Sequence, residues 1–182
     1  ANATAVSVSV SVNNAAPTTL TGQTGSYSFT GVTANAGAIL VVYLDGHATL
    51  NANTVTVSGG GNITGLHLYI DKTALANHNS GSTTNANVCS QATYPPAGDT
   101  TFTCTGGVPT YTGDELHLFG TYAPGGAVNA PKLHVFTGGT YTGGSETLTL
   151  SGAGTGTARP LYLDGGTFTA SSNTTKFTGT AA

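Results

Sequence analysis

The sequence predicts an all-β protein: an antiparallel β-sandwich, jelly-roll or immunoglobulin-like, with an N-terminal strand of the donor type set apart from it. Three observations predict this. Short β-branched or aromatic runs recur along the chain, each closed by Gly, Asn or Asp-Gly, the punctuation of tight turns. Helix has little to work with, since the chain holds 27 glycines and each costs about 1 kcal/mol relative to Ala inside a helix. Finally, residues 39–71 align without gaps on residues 132–164, with apolar faces and turn glycines in phase.

The chain begins with the segment VSVSVSV. Val6, Val8, Val10 and Val12 alternate with Ser7, Ser9 and Ser11, giving one apolar and one polar side at the period of two that a strand imposes. NNAAPTT follows, around Pro17, with no apolar period, and reads as a pliable linker. Residues 1–19 are therefore assigned to strand and linker and residues 20–182 to the sandwich. Further strand signals are GSYSFTGV from Gly25, AILVVYLDG from Ala38, TVTVSGGG from Thr54 and LHLYID from Leu66. They continue with TTFTCTGG from Thr100, ELHLFG from Glu115, KLHVFTGG from Lys132, ETLTLSG from Glu146 and PLYLDGG from Pro160. A turn or two of helix is expected only near Thr73–His78.

In the internal match, Leu40, Val42, Thr54, Thr56 and Leu68-Tyr69 answer to Leu133, Val135, Thr147, Thr149 and Leu161-Tyr162. A slip of one residue would send every side chain to the opposite face, so the phase match reads as duplication of a three-strand unit. Three strands cannot bury both faces alone, so the units are expected to pack as one sandwich, or as two small ones. Between them, NHNSGSTTNANVCSQATYPPAGD reads as an exposed surface loop made locally rigid by Cys89.

Charged residues are 6% of the chain, with four Lys or Arg against seven acids, where about 25% is usual. No basic patch exists to neutralise phosphates, which argues against nucleic acid as a partner, and no apolar run approaches the roughly 20 residues of a membrane-spanning helix. Uncharged Thr, Ser, Asn and Gly leave little repulsion between copies. The chain has no Met, and Ala1 reads as the processed end left by signal-peptide removal, placing the protein outside the cell or on its surface. Cys89 and Cys104 fit that compartment. A disulfide closing their loop contributes about 3 kcal/mol on the chain-entropy model. Glycosylation sequons stand at Asn2, Asn62 and Asn173, about as many as chance supplies.

Catalytic chemistry finds no footing. GxSxG is absent, and the glycine clusters at 59–61 and 152–156 follow strands without opening helices, so they read as hairpins and not as phosphate cradles. Asp45 and Asp164, each in a YLDG turn, lack the convergent carboxylates that calcium requires. His67, His117 and His134 each sit in LHL or LHV; adjacent strands would line up their rings as a zinc or copper site, although the short ligand spacing of known sites is missing. Asp99, Asp114, Glu115 and Glu146 cannot be paired across a cleft from sequence. Lys132 and Glu146 on neighbouring strands offer a remote isopeptide arrangement, with an exposed pair as the plain alternative. No enzyme, cofactor or metal is assigned.

A terminal strand must pair, because its backbone groups and its valines both need a sheet. It either folds back as an edge strand of its own domain or inserts into the next copy, main-chain hydrogen bonds giving affinity and side-chain pockets giving fit. By its leading strand, linker and Thr/Gly/Asn-rich β character, the chain resembles in type the donor-strand-linked subunits of extracellular filaments: archaeal threads and bundling pili, and bacterial chaperone-usher pilins. It departs from the last in having its cysteines mid-chain. The resemblance implies a structural subunit that polymerises with copies of itself, with Val6, Val8, Val10 and Val12 as plugs in an acceptor groove. Fully buried, they would contribute on the order of 6 kcal/mol before ordering costs. The competing expectation is a secreted carbohydrate-binding or adhesin module that meets glycans or host surfaces through Tyr94, Tyr111, Tyr122 and Tyr141.

Overall fold

The computed structural model describes residues 5–78 and 81–179. Five strands come first: β1 (Val6–Val12), β2 (Thr18–Gln23), β3 (Ile39–Asp45), β4 (Asn53–Ser58) and β5 (Lys72–His78). A short helix, α1 (Asn85–Ser90), precedes β6 (Phe102–Thr105) and β7 (Val108–Tyr111). Then come β8 (Glu115–Leu118), β9 (Thr121–Tyr122), β10 (Val128–Ala130), β11 (Leu133–Phe136), β12 (Thr140–Thr142) and β13 (Thr147–Leu150). The last are β14 (Leu161–Asp164), β15 (Thr167–Thr169) and β16 (Thr174–Phe177). The protein is all-β, as its sequence predicts.

The strands form three sheets, ordered β14-β11-β8-β5-β4-β3-β1-β2, β16-β13-β10-β7-β6 and β15-β12-β9. From β8 onward the chain visits the three sheets in turn, three times over, and lays each strand parallel to its predecessor. The result is a parallel coil, in which each turn buries its inner face against its neighbours. The register stacks like on like: Leu116, Leu133 and Leu161 in the long sheet, Tyr122, Tyr141 and Phe168 in the short one. The aromatic stack is tight, with Tyr141 and Phe168 parallel at 4.9 Å between ring centroids.

The antiparallel sandwich expected from sequence is therefore corrected. Among the described residues, antiparallel strand pairs are β2-β1-β3-β4 and the β6–β7 hairpin; the other strand pairs are parallel, and one isolated antiparallel bridge joins Phe136 to Gly165. The internal match has a similar outcome. In its first segment β3 and β4 are antiparallel neighbours, whereas in its second β11 and β13 lie in different sheets. Matching polarity reproduces which faces are buried but not which strand is the partner. The repeat the fold uses is shorter: LHLFGTY, LHVFTGGTYT and LYLDGGTFT, one per turn of the coil.

β3 explains how the two halves are joined. Its run ILVVYLD is apolar on both sides because both sides are covered. Val41 and Tyr43 face the main core with Val55, Leu75 and the coil interior. Leu40, Val42 and Leu44 face a second core with Val8, Val10 and Ala52. Irregular segments carrying Tyr27, Phe29, Val32, Ile63, Leu66 and Leu68 cover that second core. GSYSFTGV and LHLYID, predicted as strands, lie among these covering segments and form no strand.

Two local expectations also change. Residues 72–78 form β5, since pairing with β4 and β8 outweighs the weak helix preference of Ala and Leu. The helix lies instead at 85–90, started by a capping box in which Thr84 accepts from the Asn87 backbone N–H and the Asn87 side chain accepts from that of Thr84. The predicted exposed loop is thus partly a lid on the coil. Val88 is fully buried in the main core, Asn85 Nδ2 donates to Ala127 O at 2.8 Å, and Tyr122 Oη donates to Asn85 Oδ1 at 2.5 Å. The Cys89–Cys104 disulfide ties this lid to β6.

Leu133, fully buried at the centre of the stack, gives the most direct check of the coil. Leu133→Ala is expected to cost about 2–5 kcal/mol, read as a lowered denaturant midpoint with unchanged slope. The core phenols supply a second check. Burial pushes Tyr27 up to about 12, and burial followed by the charge of Asp45 pushes Tyr43 up to about 12; burial also raises Tyr111, Tyr122 and Tyr141. A phenol raised above its unfolded value of about 10 favours the fold below that pH, and its contribution is lost as pH climbs through the folded value. Stability should therefore fall between about pH 10 and 12, with part of the tyrosinate absorbance appearing only in the cooperative unfolding step.

Candidate functional site

Two places concentrate features beyond packing. The first is the seam around β1. This strand is antiparallel to β2 on one side and to β3 on the other, with Val8 opposite Leu44, Val10 opposite Val42 and Val12 opposite Leu40. Val8 and Val10 are 2% and 3% exposed, and Val6 and Val12 pack at the margin of the same core. The polar side is buried as well: Ser9 Oγ bonds Thr19 Oγ1 at 2.6 Å and donates to Asp45, and Ser11 Oγ donates to Ala15 O at 2.7 Å. In this chain, then, the predicted donor strand fills a groove of its own sheet.

The linker reading of residues 13–19 is corrected with it. Asn13 and Asn14 have φ of 49° and 58°, the left-handed region that Asn tolerates better than most residues, and they turn β1 into β2 as a hairpin. The turn is held by three hydrogen bonds, two to Ile39 and one to Gln91. Asn13 N–H donates to Ile39 O at 2.7 Å, Asn13 Oδ1 accepts from Ile39 N–H at 2.8 Å, and Gln91 Oε1 accepts from Asn14 N–H at 3.0 Å. The boundary drawn at residue 19 therefore runs through a β-hairpin. Beside β1, a groove of about 670 Å³ has Val10, Leu40 and Val42 as its floor and residues 27–34 and 61–66 as its walls.

The second place is the outer face of the long sheet. Leu116, Leu118, Leu133 and Val135 point into the coil, so alternation turns Glu115, His117, His134 and Phe136 outward. Parallel register sets His117 beside His134 and His134 beside Tyr162. Phe119 and Phe136 stack at 4.5 Å, Tyr69 stacks on Phe119 at 5.4 Å, and His134 stacks on Phe136 at 3.8 Å. Glu115 Oε2 lies 2.8 Å from His117 Nε2 and 3.9 Å from His134 Nδ1, with Lys132 Nζ 4.0 Å from its other oxygen.

Burial dominates the electrostatics of the two imidazoles. It lowers the pKa of His117 despite the adjacent Glu115 carboxylate, and it lowers that of His134, so both imidazoles favour the neutral form. For Glu115, burial alone would raise the pKa; the His117 hydrogen bond, with His117, Lys72 and Lys132 charges, outweighs it and holds the carboxyl below its usual range. His117 Nδ1 and His134 Nε2 are buried without a hydrogen-bond partner. Of the three histidines singled out from sequence, the fold joins His117 and His134. His67 lies outside, its ring 6.2 Å from Tyr69. Glu115, weighed from the sequence only as one of four acids for a catalytic pair, joins them here; the signal for that placement was the pair of aligned runs ELHLF and KLHVF.

The remaining candidates are dispersed. Tyr111, Tyr122 and Tyr141 are core residues because each alternates inward along its strand, and Tyr94, in the irregular segment between α1 and β6, packs against that core; the proposed binding tyrosines are corrected on this point. Lys132 lies by Glu115, while Glu146 accepts from Gly144 N–H at 2.8 Å and Tyr141 Oη at 3.3 Å, so the two do not form the isopeptide arrangement. Asp99 accepts from Gly46 N–H at 3.1 Å and Asp114 lies 3.9 Å from Lys72. Asp45 is engaged by Ser9 and Thr19, and Asp164 lies 4.0 Å from His134 Nε2. Asn62 is exposed. The Asn173 amide is buried against Gly143, and Asn2 lies outside the described residues. Among the described residues no helix is long and apolar enough to cross a membrane. No protein-family model, curated protein or solved structure matches the chain.

Proposed function

We propose that the protein is a structural subunit of an extracellular filament, polymerising head to tail by exchange of β1 between copies. The observation that carries this reading is the position of β1, an N-terminal strand inserted between β2 and β3 with Val8 and Val10 buried. Removing it would leave two strand edges and an apolar floor, a groove that the same strand of another copy fits by identity. Exchange of an identical element conserves its contacts. The balance between closed and exchanged forms is then set by the hinge and by new contacts between copies. Opening the Asn13-Asn14 turn frees two residues from positive φ, a gain on the order of 1 kcal/mol. Scarce charge keeps repulsion between copies low, and the Cys89–Cys104 disulfide suits an oxidising exterior.

A secreted module that binds carbohydrate or a host surface is the second reading. The observation favouring it is the outward row Tyr69, Phe119, Phe136 and Tyr162, since aromatic faces suit sugar rings. Electron microscopy of the purified chain separates the two. Filaments are expected from the intact protein, none from a chain lacking residues 1–13, and short capped particles when the excised peptide is added to intact subunits. Intact protein that stays monomeric at millimolar concentration and is retained on immobilised glycans would replace the filament reading with the second.

A further inference from the structure

We propose that Glu115, His117 and His134 form a binding site for a zinc-class divalent ion on the outer face of the long sheet. One ligand atom from each lies within 4.8 Å of the other two. Glu115 Oε2, at 2.8 Å from His117 Nε2 and 3.9 Å from His134 Nδ1, brackets the spacing of roughly 3.3 Å that bonds of about 2.0–2.1 Å impose around a tetrahedral ion. Small side-chain rotations equalise the distances. Two imidazoles and one carboxylate suit zinc, and also copper or nickel, and disfavour calcium and magnesium, which take oxygen alone.

The fold supplies what a metal site needs beyond its ligands. His117 is 4% exposed, and pairing of β8 with β11 fixes its backbone directly beside that of His134. The ring of His117 packs against Phe136 at 4.9 Å and against Tyr69 at 5.3 Å, which limits its rotation. His134 Nε2, buried without a hydrogen-bond partner, faces Asp164 Oδ2 at 4.0 Å. A carboxylate at the distal nitrogen is the usual means of orienting a ligating imidazole. Lys132 and Lys72 stand near Glu115 and compete for its charge, so moderate rather than extreme affinity follows. The fourth position is left to water or to a donor from outside.

Competition between the intact chain and a chromophoric chelator for Zn2+ at pH 7.5 tests the site, with Mg2+ and Ca2+ as controls. One equivalent of Zn2+ is expected to bind, with neither control ion competing. His134→Gln and Glu115→Gln should each weaken binding tenfold or more while preserving the far-ultraviolet circular dichroism spectrum. Absence of Zn2+ binding by the intact chain overturns the proposal. So does full affinity in both variants, which would assign the ion to His47, His67 or His78. Should either variant fail to fold, X-ray absorption of the zinc-loaded intact chain decides. Two imidazoles plus oxygen donors support the site, and fewer than two imidazoles contradict it.

Discussion

The hydrogen-bonded ladder of the long sheet is the constraint on which the rest of the molecule depends. It runs unbroken from β14 to β2 and belongs at one end to the coil and at the other to the antiparallel group holding β1. With few charges to pair, the fold rests on backbone pairing and buried apolar surface. β3 and β4 share this work between two cores. Their inward residues close the coil's core, and the outward residues of β3 form the floor on which the valines of β1 lie. The strand and the coil are therefore coupled through a shared sheet, so a change at β1 is felt at β3 directly.

Much of this was legible in the sequence at the level of single strands. The alternation of VSVSVSV marked its apolar face correctly, AILVVYLDG was recognisable as a strand, and Cys89 and Cys104 are joined. Pairing direction was not legible. Short strands with period-two polarity look alike whether the next pass of the chain returns antiparallel or travels round a coil, and Gly-rich turns serve both. The repeat LHLFGTY, LHVFTGGTYT, LYLDGGTFT held the information, but unequal spacers hide it from an ungapped comparison. The lid escaped for a different reason: α1 spans six residues, too few for any apolar period, and only its Thr84–Asn87 cap marked it.

The outer cluster shows the same division. LHL and LHV placed His117 and His134 outward, since their neighbours had to be buried. That the two rings meet depends on parallel register between β8 and β11, a tertiary fact. Parallel stacking also turns one outward aromatic per strand into a row, which is how His134, Phe136 and Phe119 come together. A coil that repeats its inner face thus generates a repeated outer one, and chemistry accumulates there without any short sequence motif.

The central functional claim is that β1 of one copy lies against β3 of another. Val10 and Val42 are direct partners across these strands, so a Val10→Cys, Val42→Cys chain bridged under assembling conditions reports the arrangement. Exchange predicts a covalent ladder of multimers on a denaturing gel that retains the link. Bridged monomer alone, from protein seen as filaments beforehand, would contradict it.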